Sequence, residues 1–283
     1  MKVATQPSVE QLKTSEFWLL AIAAGLAVIH ITLIMKAEDA NLQGMSMVFW
    51  LAAGSVLWAK KESLKLESDI FSSFFGATLI VLVLIKSITL TGDDPFLKIS
   101  PLISGVSVGL LASGFKGLKQ YWQEILCLGL LAIPSGPIGI IFDPSPITAK
   151  ISAVMMWYLG FNVQAKGTTI VLDGEPVVQV LEACSGLEAM MYLLKLSIVS
   201  LFMFPLASKW KQVLVPVAAV LTAFLVNCVR VIVLTLIVAW EKEEAFEYWH
   251  TGNGSLLFTM ISVFLLGFLC MYLSKQETPE ECS

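Results

Sequence analysis

Residues 17–35, 43–59, 70–90, 96–115, 124–142, 186–204, 212–239 and 255–273 form eight apolar segments separated by short polar stretches. Each approaches the roughly 20 residues that a helix needs to cross a bilayer. This recurrence predicts an all-α polytopic membrane protein of about eight transmembrane helices. Composition agrees: 57% of the 283 residues are hydrophobic and 14% charged, more apolar surface than a soluble domain hides. Segment 17–35 has no small-residue cleavage site behind it and is read as a retained helix rather than a signal peptide. Segment 43–59 is the shortest. No long-period repeat or low-complexity tract is found, and the chain reads as one integral membrane domain over 1–283. The net charge of -4 comes without a basic patch or aromatic-interleaved stripe, which argues against nucleic acid as a partner.

Lysine placement orients the chain, because cytoplasmic loops carry the excess of basic residues. Lys60, Lys61 and Lys65 follow the second segment, Lys116 and Lys119 the fourth, Lys209 and Lys211 the sixth, and Lys275 the last. The alternate loops are mostly acidic, with Glu38 and Asp39, Asp93 and Asp94, and Glu241, Glu243, Glu244 and Glu247. Both termini are therefore expected in the cytoplasm and the acidic loops outside.

Residues 143–185 join the fifth and sixth segments on the outer side. Ile147 to Phe161 is apolar but too short to cross, and reads as an interfacial or re-entrant helix. The following GTTIVLDGEPVVQV alternates β-branched residues around Asp173-Gly174, a hairpin signal because both turn positions tolerate positive φ. Pro176 lacks a backbone donor, so its strand is expected at an edge. A small outer re-entrant and hairpin element thus leads into VLEACSGLEAM, residues 180–190.

That threshold is dense in polar chemistry. Cys184 is followed by Ser185 and Gly186 at the start of a helix, where the dipole favours a thiolate; Glu182 and Glu188 oppose this unless they point elsewhere. Arg230 lies within the seventh segment, about ten residues from its outer end and so roughly 15 Å deep. A charge there faces a polar interior or a substrate path more readily than lipid, although a structural ion pair is the plainer reading. Asn227 is one helical turn earlier on the same face. His250 opens HTGNGSLLF, whose two glycines allow close backbone approach. Cys, Arg and His on one membrane face make an acyl-transfer set of nucleophile, oxyanion-stabilising cation and general acid/base. Asn227, Ser185, Gly186 and Glu182 join it as supporting or substrate-contacting positions. Cys127, Cys228 and Cys270 lie in apolar settings and read as small hydrophobes. His30 reads as a hydrogen-bonded packing residue, and Lys195 as a partner of Glu188. Five scattered cysteines without a CxxC pair, and two histidines, give no zinc spacing; we expect neither metal nor cofactor.

EACSGL, NCVRV and HTGNGSLLF, in that order, resemble the motifs of the exosortase/archaeosortase family of membrane transpeptidases. The resemblance covers chiefly residues 145–270; residues 1–142 match only in multi-span character, leaving 143–273 as the catalytic core. The short length is similar to that of cyanobacterial-type exosortases. In place of the basic or small residue that many members carry after CSGL, this chain has Glu188. The resemblance implies Cys184 as nucleophile with Arg230 and His250 completing the triad, at the outer face of a bacterial plasma membrane. It also implies membrane-anchored protein substrates with a C-terminal sorting signal: a short motif such as Pro-Glu-Pro, a transmembrane helix and a basic end. Two alternatives stand beside it. One is a transporter or channel component binding an anionic solute through Arg230, Lys195 and Glu188; the other is an endopeptidase that uses water. Sequence leaves the oligomeric state open.

Overall fold

The computed structural model describes residues 15–36, 40–89, 94–134, 136–252 and 254–276. Cys282 and Asn253 lie outside the described residues. Two compact units result, 1–133 and 134–283.

The first unit holds α1 (Ser15–Ile34), α2 (Ala40–Ala59), α3 (Ile70–Thr89), α4 (Phe96–Gly117) and α5 (Trp122–Ala132). α3 turns Phe71, Phe74, Ile85 and Ile88 outward, an apolar face of the kind lipid covers. α4 and α5 form an antiparallel hairpin. Gly105 sits against Leu128, and Gly129 against Leu102, so the small residues of one helix receive the large ones of the other. The reversal uses Gly114 at φ 65. It is tied down by hydrogen bonds from Ser113 to Lys65 O (2.6 Å) and between Ser113 and Tyr121 (2.9 Å), and by a Lys60–Glu124 ion pair of 2.8 Å. His30 is buried; Trp50 Nε1 donates to its Nδ1 (3.0 Å) and its Nε2 faces Leu97 O (2.9 Å). The first contact makes Nδ1 an acceptor and the second makes Nε2 the donor, so the ring is neutral and packs α1, α2 and α4 together.

The second unit begins with α6 (Gly136–Ile141) and α7 (Ser145–Tyr158). The fifth apolar segment, expected as one helix over 124–142, is therefore broken. Ile133 leaves the helix at ψ 110 because Pro134 crowds the α region of the residue before it. α7 starts where Asp143 accepts from Ser145 N (2.9 Å) and Oγ (2.6 Å). It ends in a Schellman motif at Gly160, φ 95, with Phe161 N donating to Met156 O and Gly160 N to Trp157 O.

Then come β1 (Val163–Lys166), β2 (Thr169–Leu172) and β3 (Glu175–Gln179), an antiparallel sheet in sequence order. The expected Asp173-Gly174 turn is present, with φ 52 and 93, the two-residue type I′ pattern. β1 is an additional strand, joined to β2 through Gly167 at φ 64. Pro176 stands on the edge strand β3, beside a register irregularity, where its missing donor is harmless.

α8 (Leu187–Met203), α9 (Lys209–Ala239), α10 (Glu243–His250) and α11 (Gly254–Lys275) complete the unit. α8, α9 and α11 share a core of Met190, Leu193, Val215, Ala219, Ala223 and Leu266. α7 and the sheet share another with α9: Ala149, Ala153 and Met156 meet Ile170, Val180, Val231 and Ile232. Small residues on α7 let it approach closely enough for Ser152 Oγ to donate to Cys228 O at 3.2 Å.

Among the described residues, six helical segments are long and apolar enough to cross a membrane: 15–34, 40–59, 70–89, 96–132, 209–239 and 254–275. The segment 96–132 contains the α4–α5 hairpin. α8, at 17 residues, extends about 25 Å, short of the roughly 30 Å hydrocarbon core. The protein is a polytopic all-α membrane protein; among the described residues its β structure is the small sheet ahead of Cys184.

Candidate active site

Cys184 ends a 3-10 turn, Glu182–Cys184, that follows β3. Its own N–H bonds Leu181 O at 2.9 Å. Ser185 Oγ donates back to Glu182 O (2.6 Å) and accepts from Leu187 N (3.3 Å), and Thr148 Oγ1 donates to Ser185 O (2.7 Å). Ser185 and Thr148 are wholly buried, so these bonds are made away from water, where an unmade partner is expensive. Gly186 then caps α8 at φ 90. A Cβ there would stand 2.7 Å from Asn227 Nδ2 and 3.0 Å from Asn227 Cβ. The glycine is required twice, for its left-handed backbone and for the room it leaves to α9. Asn227 uses that closeness to donate to Cys184 O at 3.0 Å.

His250 reaches the site by a route the sequence did not disclose. α9 ends in a Schellman motif with Glu241 in the left-handed position, φ 55; Lys242 N bonds Ile237 O and Glu241 N bonds Val238 O. The chain reverses, and α10 runs back along α9 toward Arg230. Eight residues of helix cover about 12 Å, most of the depth of Arg230 below the end of α9. His250 is the last residue of this helix. Its ring stacks on Phe246 one turn earlier, with centroids 4.8 Å apart at 16°. The two glycines of the motif do what close approach demands: a Cβ on Gly252 would meet Tyr248 O at 2.8 Å, and one on Gly254 the Tyr248 and Trp249 rings at 2.8–2.9 Å.

The three sequence-predicted residues meet here. Cys184 Sγ lies 3.3 Å from His250 Nε2, and Arg230 donates from one terminal nitrogen to His250 O at 2.8 Å. The guanidinium thus sits at the C-terminal end of α10, where a positive charge is favourable. Glu182 is exposed, its carboxylate lodged against Gly139. Glu188 is exposed and Lys195 buried on α8. Sequence reasoning missed Thr148, which no local pattern marks, and Phe246, which its i, i+4 spacing to His250 on a helix would have flagged.

Burial pushes the Cys184 thiol above its ordinary value, and the Arg230 charge pulls it only part of the way back. Burial and the same charge together hold the His250 imidazole below its usual range. Burial thus works against the thiolate that the helix start favours, and the Arg230 charge works for it. In the neutral form of the pair, the S–H donates to Nε2 across the 3.3 Å contact and the ring proton lies on Nδ1. A thiol in hydrogen-bond reach of a neutral imidazole is a nucleophile beside its base, ready to ionise as it attacks. Among the described residues no three His, Cys, Asp or Glu side chains gather as a metal site would require.

The family model for transmembrane exosortases matches residues 37–267 of this chain. Comparison with curated proteins and with solved structures yields no match.

Proposed function

The chain belongs to the transmembrane exosortase family, multi-pass membrane proteins that act as cysteine-dependent transpeptidases or sorting proteases, and from that premise we propose that it cleaves the C-terminal sorting tail of exported, membrane-anchored proteins. The cut falls on the outer face of a bacterial plasma membrane, and the new carboxyl end is passed through a thioester to an amine acceptor.

In this reading Cys184 Sγ attacks the scissile carbonyl while His250 Nε2 takes the thiol proton. The carbonyl π electrons move to oxygen, giving a tetrahedral oxyanion that the Arg230 guanidinium stabilises. Collapse breaks the C–N bond, and the imidazolium returns its proton to the departing amine. The thioester is then attacked by the acceptor amine, whose proton passes to His250 and back to the thiolate. Asn227 and Ser185 hold the Cys184 turn, Gly186 lets Asn227 reach it, and Glu182 flanks the approach beside α6. The observation that carries the reading is the 3.3 Å Cys184–His250 contact with Arg230 bonded to the same histidine.

The test is co-expression with a reporter bearing a sorting tail, with the new C-terminus read by mass spectrometry. Hydroxylamine intercepts a thioester as a hydroxamate. We expect wild type and the Cys127→Ala, Cys228→Ala and Cys270→Ala variants to process the reporter, and Cys184→Ala to leave it intact at equal membrane abundance. Processing by Cys184→Ala would remove the covalent mechanism. A free carboxyl end with no acceptor adduct would make the enzyme a water-using endopeptidase.

A further inference from the structure

β3 is an edge strand whose outer side is unpaired over the residues that lead to the thiol. Ile170 pairs with Val178 and Thr169 with Gln179, and Val180 N donates to Thr168 O at 2.9 Å. Main-chain groups alternate across an antiparallel ladder. Val178 and Val180 therefore bond toward β2, and Gln179 points its N–H and C=O away from it. Leu181, still extended at φ -82 and ψ 169, presents its N–H on the same side as Gln179, while its O takes the Cys184 N–H. Among the described residues nothing bonds to these three outward groups.

An open edge is a liability that proteins blunt with charge, proline or a bulge. β3 carries all three at its start, in Glu175, Pro176 and the irregular register beside them. Val178 to Leu181, at the end nearer Cys184, carry none. Nor do other described residues cover this end: Gln179, Leu181, Glu182 and Ala183 are exposed, although Val180 among them is buried in the core shared with α9. Two extended residues and one 3-10 turn separate Gln179 from Cys184, at most about 13 Å of chain. That is the span of about four residues of an extended peptide. An unguarded strand edge so close to a nucleophile suits a partner of one chemistry: a peptide main chain in extended form, which adds as a further strand and carries one of its carbonyls to the sulfur.

We propose that this edge is the substrate-binding strand: a segment of the protein being cut lies beside Gln179 and Leu181 as a fourth strand, and its main chain brings the scissile carbonyl to Cys184. The proposal rests on the peptidase reading above and adds to it how the substrate is held. Two bonds form to Gln179 and one to Leu181. Because they are main-chain bonds, they fix register and extension and leave side-chain choice to other contacts. They also require the substrate to be extended at the cut, which excludes a scissile bond inside a helix.

Two experiments test it, one of them independent of cleavage. The first captures the bound strand. Gln179→Cys supplies the single cysteine of a chain whose native cysteines are replaced, Cys184→Ala among them, and single cysteines are walked along the reporter tail. On oxidation with copper phenanthroline, disulfide formation should peak at one reporter position within about four residues of the wild-type cut. It should persist weakly two positions away and vanish at the immediate neighbours, because facing side chains recur with period two. Equal yields at adjacent positions, or no disulfide while the wild type cleaves the reporter, would overturn the proposal. So would disulfide-linked dimers of this chain alone, which would give the edge to a second copy. The second experiment removes one bond from the enzyme. The φ of Leu181 is one that proline adopts, and its N–H has no partner among the described residues, so Leu181→Pro deletes a donor from the free edge alone. Relative to Leu181→Ala, which keeps the N–H, it should lower kcat/KM by about 3–10-fold, the scale of one hydrogen bond. Equal kcat/KM in the two variants would overturn the proposal; if Leu181→Pro does not fold, the disulfide pattern decides. A period-two pattern with no cleavage of any reporter by wild type would support the strand and count against the peptidase reading alone, and neither disulfide nor cleavage would overturn both.

Discussion

Replacing Gly186 by alanine tests how tightly the nucleophile is held. The residue caps α8 at φ 90, a conformation that costs an L-residue about 1–2 kcal/mol. The new methyl would stand 2.7 Å from Asn227 Nδ2, 2.8 Å from Cγ and 3.0 Å from Cβ. Rotating the amide away does not help, because the Asn227 Cβ is fixed to the α9 backbone. Either α9 moves or the Cys184 turn does, at about 1 kcal/mol or more for overpacking. Asn227 then loses its bond to Cys184 O, worth about 1 kcal/mol. The sum is about 3–4 kcal/mol, a fall of melting temperature on the order of 10 °C for a unit of this size. Displacing the thiol by about 1 Å should in addition lower turnover about 100-fold. The assays are thermal unfolding in detergent and reporter processing at matched folded protein. An Asn227→Ala background removes the Nδ2 and Cγ contacts and the bond to Cys184 O but keeps the Cβ contact and the backbone share, so Gly186→Ala should cost about 1 kcal/mol less there. A loss below about 1 kcal/mol, or strict additivity in the double variant, would refute the crowding argument.

Arg230→Lys should lose processing almost as badly as Arg230→Ala, about 10²–10³-fold, because an ammonium lacks the planar fork; a stable, active lysine variant would make the arginine's role purely structural. The pH profile of kcat/KM should move as a whole. Arg230 lowers both the imidazole and the thiol, so Arg230→Ala should carry the acid limb, set by protonation of His250, and the basic limb, set by ionisation of Cys184, both to higher pH; limbs moving in opposite directions would contradict this. Gly254→Ala should push its methyl into Tyr248 and Trp249, shift α10 and lower turnover while membrane abundance holds; unchanged turnover would mean that α10 tolerates the move. Single cysteines at Asp173 and Glu244, in a cysteine-free background, should both label from outside intact cells with an impermeant reagent; labelling of only one would separate the thiol and the histidine across the membrane.

What the sequence determined by itself is what short-range physics controls. Apolar runs such as 70–90 and 212–239 must become helices because their backbone groups have no other partners in lipid, and α3 and α9 fall where the runs do. Asp173-Gly174 had to turn, because two adjacent positive-φ positions between β-branched runs admit little else. Even the break at Ile133 was written in Pro134, although the apolar average over 124–142 concealed it. β1 was missed because Val163-Gln164-Ala165-Lys166 is a four-residue alternation with little signal beside a long helix. The site divides in the same way. The sequence placed Cys184, Asn227, Arg230 and His250 as residues out of keeping with their apolar surroundings. Only the tertiary structure decided that His250 descends on α10 to meet the thiol, because that reversal is built on Glu241 at φ 55, a residue that announces no turn. It also decided what surrounds the sulfur. The helix start at Gly186 argued for a thiolate, but desolvation depends on which elements close over the sulfur, and the packing of α7, α9 and the sheet against Cys184 raises the thiol, which sequence position alone does not reveal.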